Sequence, residues 1–414
     1  MYSFGIFLYG LTIRLASLFN AKARQWQAGR KNLFRHIEQT LIQVPSKKRI
    51  WIHASSLGEF EQGRPLIEAL KQNFSQYAIV LTFFSPSGYE VQKDYKYADF
   101  VFYLPLDTKR NAQRFLDLVQ PELAIFVKYE FWLNFLFALK LRHIPTVLIS
   151  AVFRPNQLFF NRYISFYRNA LSAFSHFFVQ NEMSKKLLQG IGYQNVTISG
   201  DTRFDRVFDI AQDDFRLDTL TSFVNNKKTI IAGSSWPHDE DLLARYAKQR
   251  SDIKWIIAPH EVTPSHIKQI KTLFADKKTL LYSEISSVTT LAGYDLLIVD
   301  TMGLLNKIYR YGTIAYIGGG FGKGIHNILE PAVFGLPVLF GPRYQKFEEA
   351  TQLIHLGGAC SITNYSTLET QLNQWLDDTE KYETASLSTT QFVQRQIGAV
   401  KTIMEYLSSL KLLK

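Results

Sequence analysis

The sequence predicts an α/β protein built from two doubly wound parallel-sheet domains in tandem. Three observations carry this: the chain length, a repeated alternation of short apolar β-rich runs with helical stretches, and one polar break midway. At 414 residues the chain is longer than a single hydrophobic core usually serves, so two cores are expected. Its apolar fraction of 46% and charged fraction of 20%, with 32 Phe and 21 Tyr, supply enough bulk for both and exclude a disordered chain.

From residue 50 the β-rich runs are RIWIHA, YAIVLTFF, DFVFYL, LAIFVKY, TVLISAV and HFFVQ. Helical stretches are expected between and after them at 59–73, 86–94, 108–119, 130–141, 158–173 and 182–190. This is βαβ order, and runs apolar at every position suit strands covered by helices on both faces. A polar, charge-mixed stretch from about Asp201 to Lys228 breaks the rhythm. It resumes with TIIAGSS, WIIAP, TLLYS, YDLLIVD, TIAYIGGG and PVLFG, and the segment from Ser366 onward reads as helical. The expected division is an apolar and basic N-terminal segment at 1–37, a first domain at 38–205 and a second at 206–414 that includes the terminal helices. The carboxyl ends of both sets of strands are expected to face a shared crevice, where such sheets bind ligands.

The opening MYSFGIFLYGLTIRLASLFN is apolar apart from Arg14, and Lys22, Arg24, Arg30, Lys31 and Arg35 follow before the first acid, Glu38. Cations after the apolar stretch reverse the order of a secretory signal and place the rest of the chain on the cytoplasmic side. About 20 apolar residues are needed to cross a bilayer, so spanning and lying in the interface both remain open for a segment containing Arg14. The competing reading is a first helix buried against the body. The net charge of +11 suits anionic lipid or phosphorylated ligands. Nucleic acid is not expected, since no interleaved basic and aromatic run and no zinc spacing occur. The single Cys360 excludes an intramolecular disulfide and fits a reducing compartment.

The first β-run leads into Ser55, Ser56, Leu57, Gly58 and Glu59, and the following helix carries Arg64. Glu59 reads in two ways: as an acid favoured by the helix dipole, or as a general base within reach of a hydroxyl proton. Later, Gly318-Gly319-Gly320-Phe321-Gly322-Lys323-Gly324 follows the run TIAYI and precedes His326, Asn327, Glu330 and Pro331. Five glycines in seven residues allow close approach of the backbone to a ligand, and a following helix would offer N–H groups to an anion. A Walker loop does not fit this spacing, and a dinucleotide fingerprint does not suit a position so late in the chain. Glu330 reads either as a ligand for two ribose hydroxyls or as a solvated helix acid. Ser234 and Ser235 before Pro237, Pro259 with His260, and Met302 with Gly303 lie on the same expected edge. With no nucleophile elbow and no carboxylates at metal-ligand spacing, a reaction without metal or cofactor is expected.

The blocks WIHASSLGEFEQGRPLIEAL, YLPLDTKRNAQRFLDLVQPELAIFVKYEFWLN, IPTVLISAVFR, VDTMGLL and IGGGFGKGIHNILEPAVFGLPVLFGP occur in an order and spacing that resemble the 3-deoxy-D-manno-octulosonic acid (Kdo) transferases of lipopolysaccharide synthesis. The resemblance spans nearly the whole chain. It implies the GT-B fold and inverting transfer of Kdo from CMP-Kdo to a lipid A precursor, at the cytoplasmic face of the inner membrane. The N-terminal apolar helix would then associate with the membrane beside the lipid acceptor. It further implies Glu59 as base, with Ser55, Ser56, Gly58, Arg64 and Glu130 on the acceptor side. Ser234, Ser235, Pro259, His260, Met302, Gly303, Gly319, Gly320, Lys323, Asn327 and Glu330 are implied on the donor side.

Two blocks depart from the family pattern. Lys128-Tyr129-Glu130-Phe131-Trp132-Leu133 keeps only Glu130 and Trp132 of a block that commonly reads acid, small residue, acid, then Trp-Pro. His260-Glu261 follows Pro259 where the family has Arg-His, which leaves Lys323 or Arg343 to supply the cation. The rival classes are another GT-B nucleotide-sugar enzyme, transferase or epimerase, and a non-catalytic nucleotide-binding protein at the membrane. Incubation with CMP-Kdo against UDP-sugars separates the first; donor binding without turnover marks the second.

Overall fold

The computed structural model describes residues 2–43, 47–161, 165–214, 216–288 and 290–410. It divides into two compact units, residues 2–205 with 397–410, and residues 206–396.

In the first unit seven parallel strands lie in the order β3-β2-β1-β4-β5-β6-β7. They are β1 (Arg49–Ala54), β2 (Ala78–Phe83), β3 (Phe100–Tyr103), β4 (Pro121–Val127), β5 (Thr146–Ala151), β6 (His176–Val179) and β7 (Val196–Ile198). Strand periodicity sorts their side chains into two cores. Ile50 and Ile52 of β1 join Leu123, Ile125 and Val127 of β4 on one face, while Trp51, Ala124 and Phe126 pack on the other. All are fully buried, and each large side chain contributes about 1.5–3 kcal/mol of transfer free energy. The strand order reverses between β1 and β4, so their two following turns open side by side.

The second unit repeats the plan with the order β10-β11-β9-β8-β12-β13-β14, again all parallel. Its strands are β8 (Thr229–Ser235), β9 (Lys254–Pro259), β10 (Thr279–Leu281), β11 (Leu296–Ile298), β12 (Ile314–Ile317), β13 (Val338–Phe340) and β14 (Ala359–Ser361). Here the reversal falls between β8 and β12.

The structure corrects several expectations. The helix Ala399–Ser409 buries Ile403 and Leu407 in the first unit's core, so residues from 397 belong there and not with the second domain. Strands β7 and β14, three residues each, are additional to the runs read from sequence. The long helix expected near 158–173 is a short 3-10 turn, Leu158–Phe160, and a helix Ser165–Leu171, with 162–164 outside the described residues. The polar stretch between the domains carries two helices, Thr202–Gln212 and Asp218–Val224.

At the N-terminus the helices Tyr2–Ala16 and Ala21–Ala28 meet at 120°. The first docks through Tyr2, whose hydroxyl donates to Asp107 at 2.5 Å, and through Tyr9 stacked on Phe84 at 6.1 Å. No described residue of that helix is buried, and Phe4, Phe7, Leu8, Leu11 and Leu15 are exposed, so it is not the buried first helix of the competing reading. Among the described residues no single helix is long and apolar enough to cross a membrane, although the bent pair together has the length and composition.

Candidate active site: two switch-point turns

The turn after β1 enters the helix Leu57–Asn73 through Ser56, which has the extended backbone of an N-cap. Glu59 is the third helical residue. The Ser56 hydroxyl donates to its carboxylate, in place of capping a backbone N–H. Glu59 remains partly exposed. An added Cβ at Gly58 would meet only Ser56 Oγ, at 3.7 Å, so the chain's own packing leaves open space beside the carboxylate.

The turn after β4 supplies Glu130, which is only 7% exposed. Its Oε2 accepts from Ser55 Oγ and from Trp132 Nε1 at 2.5 Å, and lies 3.3 Å from His53 Nε2. The His53 ring is completely buried and held from its other side by Thr82, with Nδ1 at 2.9 Å from Oγ1. Glu130 therefore clamps the two turns together. Under the same helix, Asp201 accepts from Gln62 at 2.9 Å, Gln180 at 3.2 Å and the Arg203 guanidinium at 2.7 Å. Burial pushes the Asp201 carboxyl up, but Arg203 outweighs it and holds the group below the usual carboxylate range. Arg64, expected on the acceptor side, donates to Glu68 one turn along at 2.8 Å.

In the second unit the turn after β8 enters the helix Pro237–Ala247. Its third residue, Asp239, accepts from Trp236 N at 3.0 Å, Gly319 N at 3.1 Å and the Tyr316 hydroxyl at 2.7 Å. One buried carboxylate thus ties the turns after β8 and β12 together. The glycines make that approach possible: a Cβ at Gly318 would lie 2.2 Å from Ser234 O, and Gly319 has φ +89°.

These turns border a groove of about 850 Å³ whose lining includes Trp236, His260, Gly319, Lys323 and His326. The His260 ring stacks on Trp236 at 4.7 Å and on His326 at 4.4 Å. Trp236 Nε1 donates to His326 Nε2 at 3.3 Å. Burial, then the neighbouring His260, push the His326 imidazole down to about 4.

The expected donor residues divide. His260, Gly319 and Lys323 line the groove. Pro259 ends β9, and Gly320 is pressed against Gly341, where an added Cβ would come within 2.6 Å. Ser235 is corrected: it is fully buried, and its hydroxyl donates to Glu240 at 2.7 Å, so it is turned from any ligand. Ser234 is not in the turn but inside β8, at a bulge between Gly233 and Ser235 where its φ is +52°. Met302 is 78% exposed beside Gly303, and neither is among the groove's lining residues. The helix expected after the glycines to offer N–H groups to an anion is only a four-residue piece, Leu329–Ala332. Asn327 donates to Glu330 at 3.1 Å in its first turn. Arg343 donates to Gly322 O at 2.5 Å and holds the loop, leaving Lys323 as the lining cation of the two. Among the described residues no three His, Cys, Asp or Glu side chains gather as a metal site.

Sequence reasoning missed His53 and Asp239. His53 sits inside the β1 run and reads as strand; Asp239 reads as an ordinary helix-start acid. Only the strand order, which sets each beside its partner turn, reveals them.

Residues 27–206 match the family model described as 3-Deoxy-D-manno-octulosonic-acid transferase (kdotransferase). A 3-deoxy-D-manno-octulosonic acid transferase of Haemophilus influenzae is 26% identical over 381 residues, covering 88% of this chain and 87% of that protein. One from Aquifex aeolicus is 27% identical over 337 residues, 80% of this chain and 86% of the relative. Among solved structures, a UDP-GlcNAc 2-epimerase from Neisseria meningitidis bound to UDP-GlcNAc is similar with a TM-score of 0.61 at 15% identity, covering 87% of this chain and 99% of that one. MurG of Acinetobacter baumannii gives 0.55 at 11% identity, covering 88% and 100%. These two likenesses establish the fold, GT-B. The first unit is thus similar in sequence to the Kdo transferase domain, and the chain is similar to whole Kdo transferases across most of its length.

Proposed function

We propose that this glycosyltransferase moves Kdo from CMP-Kdo to a hydroxyl of the phosphorylated glucosamine disaccharide of a lipid A precursor, with inversion, and that Glu59 is its general base. The similarity to Kdo transferases supports Kdo transfer in lipopolysaccharide synthesis. The observation that carries the assignment of the base is the contrast between two carboxylates at one switch point. Glu130 is buried under three partners, whereas Glu59 is partly exposed beside the open space at Gly58.

In this reading Glu59 accepts the acceptor hydroxyl proton as that oxygen forms a bond to the anomeric carbon. The carbon–oxygen bond to CMP breaks on the opposite face, and its electron pair leaves with the nucleotide phosphate. The second unit's groove binds the cytidylate, with Lys323 opposite its charge and the Trp236, His260 and His326 rings as a stacking surface. No metal takes part, so chelation leaves turnover unchanged. The exposed apolar helix and the cations after it support a position at the cytoplasmic face of the inner membrane, beside the lipid acceptor.

The test is mass spectrometry of the product formed by the full chain from CMP-Kdo and detergent-dispersed lipid A precursor, with UDP-GlcNAc as the competing donor. A mass gain of one or more Kdo units is expected. Conversion of the UDP-sugar, or CMP-Kdo binding without transfer, overturns the proposal.

A further inference from the structure

The N-terminal helix pair encloses, with the body of the first unit, a groove of about 770 Å³, within the ~300–1,000 Å³ span of small-molecule sites. Its apolar walls include Phe7, Leu11, Trp26 and Leu106. Its cations are Arg14, Arg24, Arg30 and Lys31, and no acid lines it.

The four cations are not equivalent. Arg30 belongs to the fold: its guanidinium donates to Trp26 O at 3.1 Å, Phe84 O at 2.7 Å and Leu104 O at 3.0 Å, and lies 3.8 Å over the Trp26 ring. It fastens the helix pair to the body. Arg14, Arg24 and Lys31 are exposed, and none pairs with a carboxylate among the described residues. The Trp26 indole N–H is a further unmet group, buried at 9% exposure without a hydrogen-bond partner. Buried donors are seldom left unsatisfied, and an oxygen of a bound molecule would meet this one.

We propose that this groove holds one acyl chain of an anionic bilayer phospholipid, with the lipid phosphate among Arg14, Arg24 and Lys31. Apolar walls under an unopposed cationic rim match a molecule that is apolar at one end and anionic at the other. The same helix pair and its turn expose Phe4, Leu15, Leu18 and Phe19, the last at 89%, so the groove opens within a surface already suited to lipid. The inference deepens the membrane placement proposed above and is independent of the sugar chemistry.

The experiment is native mass spectrometry of the full chain released from nanodiscs of phosphatidylcholine mixed with phosphatidylglycerol, alongside vesicle flotation and the transfer assay in detergent. One phosphatidylglycerol is expected to stay with the wild-type chain, and phosphatidylcholine is not. Ala28→Trp, which fills the groove without changing charge, should abolish retention. Arg14→Gln with Arg24→Gln should lower it roughly 30-fold, at ~1 kcal/mol for each cation near an anionic surface. Both changes lie on the exposed face, so a folded chain is checked by circular dichroism, and the charge pair stands as the test if the Trp variant misfolds. Retention unchanged in the charge pair, or equal retention of both lipids, overturns the groove. Loss of flotation by the wild type overturns the membrane placement, and absence of Kdo transfer with lipid retained overturns only the enzymatic reading.

Discussion

Glu59 and Asp239 occupy the same position in two copies of one plan. Each is the third residue of the helix that follows the first strand of its unit, and each stands where the strand order reverses. Their fates differ. Asp239 is buried and bridges two backbone N–H groups and a phenol, so it is part of the second unit's frame. Glu59 bonds its own cap serine and stays partly exposed, because the bridging job in the first unit falls to Glu130 from the neighbouring turn. A carboxylate relieved of structural duty is one that can change protonation during a reaction. The comparison teaches that helix position does not assign a role to an acid; the donors converging on it do.

The sharpest way to break the comparison is to remove the charge from Glu59. Glu59→Gln keeps the size and the serine contact but cannot take up a proton. Turnover of CMP-Kdo should fall at least ~100-fold, the lower end of what a positioned general base contributes, with donor affinity and melting temperature near those of the wild type. Initial rates and isothermal titration with the donor check this. Near-normal rates would return Glu59 to the role of a helix-start acid.

How much of this was legible beforehand follows the same division. Strands of four or more apolar residues declare themselves, and so does the polar break between the domains. The three-residue β7 and β14 do not: β10, β11 and β13 are as short but keep apolar pairs such as Leu-Leu, whereas Val-Thr-Ile and Ala-Cys-Ser are broken by polar residues. The helix Ala399–Ser409 is readable as a helix, but nothing local in Ile403 or Leu407 says which sheet they cover. At the site, the Glu59 turn stands out through its glycine and serines. Glu130 stands out only through the family resemblance, while His53 and Asp239 acquire meaning from partners 29 and 80 residues away in sequence, at Thr82 and Gly319. Ser235 shows the converse: a residue well placed by its motif, with a hydroxyl the fold turns inward to Glu240.

Removing Asp239 should strike stability where Glu59 strikes rate. Asp239→Ala leaves Trp236 N, Gly319 N and the Tyr316 hydroxyl without their acceptor. At ~1–3 kcal/mol for an unsatisfied buried group, and with partial rehydration, a loss of about 2–4 kcal/mol is expected. Glu59→Ala should cost under about 1 kcal/mol, because only a partly exposed local contact goes. Urea unfolding of both variants, followed by circular dichroism, makes the comparison. Equal losses would mean that the two acids are structurally equivalent after all.

The smallest expected effect lies in the pH dependence of the second unit. His326, pushed down to about 4 first by burial and then by His260, is held neutral in the folded chain, whereas the unfolded chain protonates it near the ordinary 6.5. Below that ordinary value the unfolded state binds the proton first. The contribution of His326 is therefore complete above pH 6.5, is lost progressively as pH falls, and stops changing once the folded form also protonates near 4. His326→Gln preserves a polar partner for Trp236 Nε1 and cannot titrate. Its melting temperature should fall less steeply than the wild type's between those two pH values, and the two curves should run parallel above pH 6.5. Calorimetry of both chains across this window checks it. A wild-type slope no steeper than the variant's would place the acid sensitivity of this unit elsewhere.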